Sequence, residues 1–286
     1  MTKPVANFDE RLQTLVQEAL AEDLGEGDHS TLAVIPADAR GRAVLKIKQS
    51  GILAGVEVAE KIFRFHESGI VFHVLKNDGE QMQPGDDAFT VEASVHTILI
   101  CERLVLNCMQ RMSGIASLTH EYTEKIKDFS SKILDTRKAT PGFRLLEKEA
   151  VRIGGGMNHR FGLFDMMMLK DNHIDYCGGI TKALENAFDY TQKYKPGLRI
   201  EVEARSLEDV REVMASGKAD RIMLDNFSPE LLSQALSIIQ NKIETEASGG
   251  INLNNIRAYA ATGVDFISIG ALIHQARSLD LSLKAI

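Results

Sequence analysis

Lys132-Ile-Leu-Asp-Thr-Arg-Lys138 and Met166-Met-Met-Leu-Lys-Asp-Asn-His173 share one plan: a short apolar run that ends in charged residues. Four more apolar runs follow downstream, each ending in polar residues or glycine. The run 199–204 delivers Glu203, and 221–225 closes on Asp225-Asn226. The run 243–247 leads into Ser248-Gly-Gly250, and 265–269 into Gly270-Ala271. Residues at helical spacing fill the gaps, near 179–194, 206–216, 228–240 and 252–261. Strands and helices alternating in this way predict parallel strands joined by right-handed crossovers. Six such strands, on pattern alone, favour a closed α/β barrel over an open doubly wound sheet. The functional site of such a barrel lies at the C-terminal strand ends, which is where the polar residues fall. An ordinary loop is the simpler reading for any one of these ends; the repetition at five or six of them argues for a site.

Upstream, residues 95–127 contain no proline and carry Leu99, Leu104, Leu106, Met109, Met112, Ile115 and Leu118 at helical spacing, so one long helix is expected. Before it, strand-like runs at 42–48, 70–75 and 88–91 surround a helix near 58–66, and Phe8, Leu12, Leu15, Val16, Ala19 and Leu20 mark an amphipathic helix near 8–22. This region reads as a small α+β domain. The expected division is 1–115 for that domain and 116–278 for the α/β domain.

The chain of 286 residues has a formal net charge of -7. Within it Asp135-Thr-Arg-Lys-Ala-Thr-Pro-Gly-Phe-Arg144 gathers Arg137, Lys138 and Arg144, and Asn158-His-Arg160 adds His159 and Arg160. Cations concentrated in an acidic chain point to a pocket for a small polyanion and away from a nucleic-acid face. Arginine offers a planar fork for carboxylate or phosphate, and lysine a movable point charge. Glu203 and Asp225, on neighbouring strand ends, suit Mg²⁺ or the hydroxyls of a ribose; salt bridges to the nearby cations are the alternative. Glu201 shares a strand face with Glu203, and its role stays ambiguous. Glycines at 249, 250 and 270 let backbone N–H groups approach an anion, and helices expected to start just after them would add a favourable dipole. His159 is read as an anion contact and His173 as a hydrogen-bonded structural residue. The run Met166–Met168 is read as core. Cys101, Cys108 and Cys177 form no CxxC or paired framework, so free thiols are expected. No apolar run approaches the roughly 20 residues of a membrane helix, and the N-terminus carries no apolar signal core, so a cytoplasmic chain is expected.

At these residues the chain resembles the quinolinate phosphoribosyltransferase family. The matching blocks include Glu22-Asp-Leu-Gly-Glu-Gly-Asp28, Glu102-Arg-Leu-Val-Leu-Asn107, Arg111-Met-Ser-Gly-Ile-Ala116, Thr136-Arg-Lys-Ala-Thr-Pro-Gly142, Asn158-His-Arg-Phe-Gly-Leu-Phe-Asp165, Leu169-Lys-Asp-Asn-His-Ile174 and Glu246-Ala-Ser-Gly-Gly-Ile251. Ala139 and Phe143 stand where threonine and leucine are usual, and Ala204-Arg205 follows Glu203 in place of the commoner apolar residue; no departure removes a charged group. The resemblance implies an incomplete, open α/β barrel with a smaller N-terminal α+β domain, to which the C-terminal segment 279–286 returns. It implies a homodimer with shared active sites, the arginine matching Arg103 reaching into the neighbour's pocket. It implies transfer of phosphoribosyl from 5-phosphoribosyl 1-diphosphate to quinolinate, with Mg²⁺, giving nicotinate mononucleotide, diphosphate and CO₂. The residues carried over for quinolinate are Arg103, Thr136, Arg137, Lys138, His159, Arg160 and Lys170. Lys138, Lys170, Glu203 and Asp225 are carried over for catalysis near the ribose and Mg²⁺. Ser248, Gly249, Gly250, Ile269, Gly270 and Ala271 are carried over for phosphate, with His274 a secondary candidate. Three other readings compete: a nicotinate phosphoribosyltransferase, which needs fewer acceptor cations; an aldolase with Lys170 as Schiff-base residue; and a non-catalytic anion-binding barrel.

Overall fold

A computed structural model describes residues 7–286. In chain order its elements begin with α1 (Phe8–Leu24), α2 (His29–Val34), β1 (Arg40–Ile47), β2 (Gly51–Ile52), α3 (Val56–His66), β3 (Val71–Val74), β4 (Gln81–Met82) and β5 (Asp87–Ser94). The long helix α4 (Val95–Lys125), β6 (Lys132–Leu134), α5 (Arg144–Ile153), β7 (Met167–Leu169), α6 (Asp171–Cys177) and α7 (Ile180–Tyr194) follow. The chain ends with β8 (Ile200–Ala204), α8 (Leu207–Ser216), β9 (Arg221–Asp225), α9 (Pro229–Ile239), β10 (Glu244–Ser248), α10 (Ile256–Ala260), β11 (Phe266–Ser268), α11 (Ala271–His274) and β12 (Leu281–Ala285).

These elements form two compact units. The first takes the chain up to His120 with Ala139–Gly155 and Leu272–Ile286, and the second takes Glu121–Lys138 with Gly156–Ala271. In the first unit an antiparallel sheet runs in the order β12-β1-β5-β3. The C-terminal strand β12 pairs with β1, Leu283 opposite Leu45. Phe63 of α3 packs on the sheet beside Phe72 and Phe89, whose rings stack at 4.5 Å. α1 buries Leu12, Val16 and Leu20, one residue per turn on one face, as the sequence spacing predicts. Gly114 sits inside the unbroken helix α4 for a packing reason. The carbonyl of Arg277 crosses the helix there, and a Cβ at position 114 would overlap it.

The second unit carries the parallel sheet, in the order β6-β11-β10-β9-β8-β7. Six strands appear where the sequence places them, but they do not close. Strand spacing alone favours a ring, and the structure corrects this to an open sheet with edges at β6 and β7. The reason lies in residues 135–166. They make one bridge beside β6, Leu134 to Met157, and supply no further ladder between the two edges among the described residues. The register aligns Glu201 with Arg221 and Arg221 with Glu244. Acidic, basic and acidic side chains therefore lie side by side across three strands. Cross-strand neighbours of opposite charge stabilise each other. Cys101 and Cys108 are free and buried, and burial pushes both thiols up to about 12. No helix among the described residues is long and apolar enough to cross a membrane.

Candidate active site

Parallel strands share a C-terminal end, so the second unit presents one rim of strand-end residues. β6 leads into Asp135, Thr136, Arg137 and Lys138. Arg137 and Lys138 are exposed, and Thr136 is half-buried. Thr136 Oγ1 accepts from the Lys138 amide at 3.1 Å, which bends the loop back at the strand end. Asp135 is fully buried and works inward. It accepts from Asn158 Nδ2 at 2.7 Å and from the His159 amide at 2.8 Å. The segment that carries Arg160 is thus tied to the end of β6.

Arg160 is half-buried, and its Nη1 donates to the Met166 carbonyl at 3.1 Å. Burial lowers its basicity, and Arg137 nearby lowers it further. Two guanidiniums near enough to repel favour an anion between them. Lys170, at the end of β7, is exposed, and its amide donates to His173 Nδ1 at 3.0 Å. His173 therefore caps α6, which fits its structural reading. Met166 and Met168 are buried, as expected of core. A cavity of about 450 Å³ beside β7 and α7 reaches Arg160 and His173, but its remaining lining is largely apolar, including Leu163, Met167, Leu169 and Ala187. It lacks the other cations of the rim.

On the next two strands stand Glu203 and Asp225. Glu203 is 7% exposed, and its Oε2 is 3.6 Å from Lys170 Nζ. Burial raises the Glu203 carboxyl, Lys170 opposes that, and Asp225 and Asp171 push it up again. Two carboxylates that repel each other beside a solvent-facing rim form a donor set suited to Mg²⁺. Asn226, at φ 58, follows Asp225 in the left-handed region, and its amide donates to the Ser248 carbonyl at 2.8 Å. The backbone at Gly249, φ 95, comes so close to the Asn226 side chain that a Cβ there would overlap Asn226 Oδ1.

The expected helix at 252 is not found directly behind Ser248-Gly-Gly250. α10 starts at Ile256, and a turn rich in asparagine comes first. Asn252 and Asn255 donate their side-chain amides to the Gly250 carbonyl, and each also accepts from a nearby amide. Such side chains compete with helical hydrogen bonding and delay the helix. The dipole expected there is displaced, which leaves the turn backbone at 249–250 as the candidate anion contact. Ile269 is buried and its amide donates to the Leu134 carbonyl, while Gly270 and Ala271 are half-buried at the start of the one-turn helix α11. In the first unit, Arg103 lies exposed on α4, and His274 is exposed on α11.

His159 differs from its reading as a rim contact. It is 8% exposed, and its Nε2 faces Glu201 Oε2 at 3.0 Å and Glu246 Oε2 at 3.3 Å. Its Nδ1 accepts from the Arg160 amide at 2.7 Å. Burial opposes a second proton on this ring and the Glu201 and Glu246 carboxylates favour one; because Nδ1 is already engaged as acceptor of the Arg160 amide, the ring holds a single hydrogen, on Nε2. Glu246 is held from the far side by Arg221 Nη1 at 3.2 Å. His159, Glu201 and Glu246 could span a metal ion, with ligand atoms within 4.8 Å of one another; Arg221 already supplies the positive charge such an ion would bring. The sequence left Glu201 ambiguous and drew no role from Asp135, Glu246 or Arg221. The signal available was alternation: carboxylates at every second position of a strand buried on both faces.

An α/β domain whose open sheet gathers cations, carboxylates and a glycine turn at one rim has the make-up of an anion-binding enzyme of the α/β class. The chain belongs to the quinolinate phosphoribosyltransferase family. Residues 28–113 match its N-terminal domain and residues 115–284 its C-terminal domain. The chain is similar to quinolinate phosphoribosyltransferase [decarboxylating] 1b of Nicotiana tabacum, 41% identical over 99% of this chain and 85% of the relative. It is similar to the chloroplastic nicotinate-nucleotide pyrophosphorylase [carboxylating] of Arabidopsis thaliana, 42% identical over the same shares. The solved structure of NadC from Streptococcus pyogenes superposes with a TM-score of 0.90 at 38% identity, all of both chains covered. Human nicotinic acid phosphoribosyltransferase, 12% identical with a TM-score of 0.59, shares the fold alone.

Proposed function

We propose that this chain transfers the phosphoribosyl group of 5-phosphoribosyl 1-diphosphate to quinolinate with loss of CO₂, giving nicotinate mononucleotide for NAD biosynthesis. The observation that carries this is the pairing at one rim of Arg137, Lys138, Arg160 and Lys170 with Glu203 and Asp225. A dicarboxylate acceptor needs several cations, and a ribosyl donor passing through a cationic state needs carboxylates. The relatives named for this reaction support the same reading.

In this reading Arg137 and Arg160 take the two carboxylates of quinolinate, with Thr136 and Lys138 beside them, and bring the ring nitrogen to the anomeric carbon. The bond from that carbon to diphosphate breaks as the bond to nitrogen forms. Glu203 and Asp225 stabilise the positive charge on the ribose. Lys170, 3.6 Å from Glu203, neutralises charge building on the leaving group. Ser248, Gly249 and Gly250, with Ile269, Gly270 and Ala271, cradle the 5-phosphate. When bound, Mg²⁺ would neutralise the diphosphate; it would be held mainly through substrate, with Glu203 and Asp225 near it. After transfer the ring nitrogen is cationic. Its charge stabilises the electron pair that stays on C2 as CO₂ departs, and that pair then takes up one proton.

The active unit is a homodimer in this proposal, with Arg103 of the partner subunit completing each acceptor pocket. The compartment is the cytoplasm; plant relatives named chloroplastic or mitochondrial make cell fractionation its direct test. The activity is tested with quinolinate, 5-phosphoribosyl 1-diphosphate and Mg²⁺, following nicotinate mononucleotide and CO₂, with nicotinate as competing acceptor. Both products from quinolinate and little from nicotinate support the proposal. Turnover of nicotinate alone overturns the acceptor assignment.

A further inference from the structure

Below the rim lies a group of buried charges that the reaction does not use directly. Arg221 Nη1 contacts Glu246 Oε2, and Arg221 Nε and Nη2 hold Glu244, which Arg199 also holds. Glu246 and the fully buried Glu201 converge on His159 Nε2, one from β10 and one from β8. The other ring nitrogen turns toward the rim and accepts the Arg160 amide. One residue earlier, Asp135 accepts the His159 amide. Two successive amides of the chain that carries Arg160 are therefore held by side chains from below.

An amide N–H only donates, so Nδ1 must offer a lone pair to hold Arg160, and the ring hydrogen must sit on Nε2. Carboxylates facing Nε2 enforce that tautomer. A second-layer carboxylate that fixes a histidine's orientation is a known way to align the groups it serves. We propose that Glu201 and Glu246 are positioning residues for Arg160: they draw the His159 hydrogen onto Nε2 and so commit Nδ1 to the Arg160 amide. Their effect then reaches the acceptor pocket through the backbone at residue 160. This inference deepens the proposed function, since it takes Arg160 as an acceptor contact.

The test has two parts. Nitrogen-15 NMR of labelled histidine, with the His159 signals assigned by their loss in His159→Asn, reads the tautomer with no substrate present. A bare Nδ1 and a protonated Nε2 at neutral pH are expected; a hydrogen on Nδ1 overturns the proposal. Kinetics then compare Glu201→Leu with Glu201→Gln. Leucine removes the acceptor facing Nε2 and glutamine keeps one. Leucine is expected to raise KM for quinolinate roughly tenfold, with KM for 5-phosphoribosyl 1-diphosphate within about twofold, and glutamine to restore most of the loss. Equal shifts in both KM values, or no shift in either, overturn the proposal. If Glu201→Leu fails to fold, Glu246→Leu set against Glu246→Gln gives the same KM comparison. A wild-type chain with no quinolinate activity would refute the proposed function while the NMR result still stood.

Discussion

Lys170 Nζ and Glu203 Oε2 stand 3.6 Å apart at the ends of adjacent strands, the lysine exposed and the carboxylate nearly buried. Burial raises the Glu203 carboxyl, Lys170 offsets part of that, and Asp225 raises it again. A carboxyl raised in the folded state contributes stability below its unfolded value, lost as pH rises through the folded one. At neutral pH the folded chain thus carries the strain of an ionised, poorly solvated Glu203. Glu203→Gln is expected to raise stability at pH 7 by a few tenths to about 1 kcal/mol. The same change is expected to lower kcat on the order of a hundredfold, because charge opposite the ribose is lost. Thermal melts beside initial rates check the pair of outcomes. A variant both less stable and fully active would refute the assignment.

Shared active sites make a sharper prediction than dimer size does. Each pocket would need its own Lys138 and Arg103 of the partner subunit. Arg103→Ala and Lys138→Ala are each expected to be nearly inactive alone. A heterodimer of the two contains one intact pocket and one doubly defective pocket. Random exchange of equal amounts should therefore restore about one quarter of wild-type activity. Unfolding and refolding the mixed variants before assay measures this, and no recovery from a properly refolded mixture would show that Arg103 serves its own chain or none.

At Gly249 two constraints coincide: a φ of 95 and the closeness of Asn226. Gly249→Ala must strain the backbone and push Asn226 aside, at about 1–3 kcal/mol. Both effects fall on the turn assigned to the donor phosphate. KM for 5-phosphoribosyl 1-diphosphate is expected to rise about tenfold or more, with a much smaller change in KM for quinolinate. Steady-state kinetics with each substrate varied in turn decides this; a rise confined to quinolinate would move the phosphate site elsewhere.

The parts of this site that a sequence can carry are those set by local pattern. The strand ends at Lys138, Lys170, Glu203 and Asp225 were legible because an apolar run followed by a charge has a period that one strand fixes alone. Closure of the sheet was not legible in strand spacing, and the family resemblance alone implied the open form that the structure has. Closure depends on what residues 135–166 do next to β6, and a single bridge at Met157 has no sequence period. α10 starts later than the helical spacing predicts because Asn252 and Asn255 bond to their own turn, a local competition that outweighs the spacing of the residues that follow. The place of His159 depends on Glu201 and Glu246, 42 and 87 residues further along the chain, which only the strand register brings together.

In the first unit, Glu67 sits where α4 begins. Its Oε2 accepts from the Ser94 amide at 3.0 Å and its Oε1 from Arg40 Nη1 at 3.1 Å. Burial raises this carboxyl, but hydrogen bonds from the Ser94 amide, Thr97, Arg40 and the Ser94 hydroxyl outweigh it and hold it at about 2. A negative charge beside a helix N-terminus also complements the helix dipole. For a carboxyl lowered on folding, the contribution is complete above the unfolded value of 4.5 and is lost as pH falls through about 2. Because Glu67 remains in contact with solvent, that contribution is roughly 1–2 kcal/mol. Glu67→Gln keeps an oxygen for the Ser94 amide and removes the charge. The variant is expected to be less stable than wild type at pH 7 by that amount, and the two should converge as the pH is lowered from about 5 to about 2. Urea melts at a series of pH values measure the gap directly. A gap that stays constant over this range would mean that shape at the helix start, and not charge, is what Glu67 contributes.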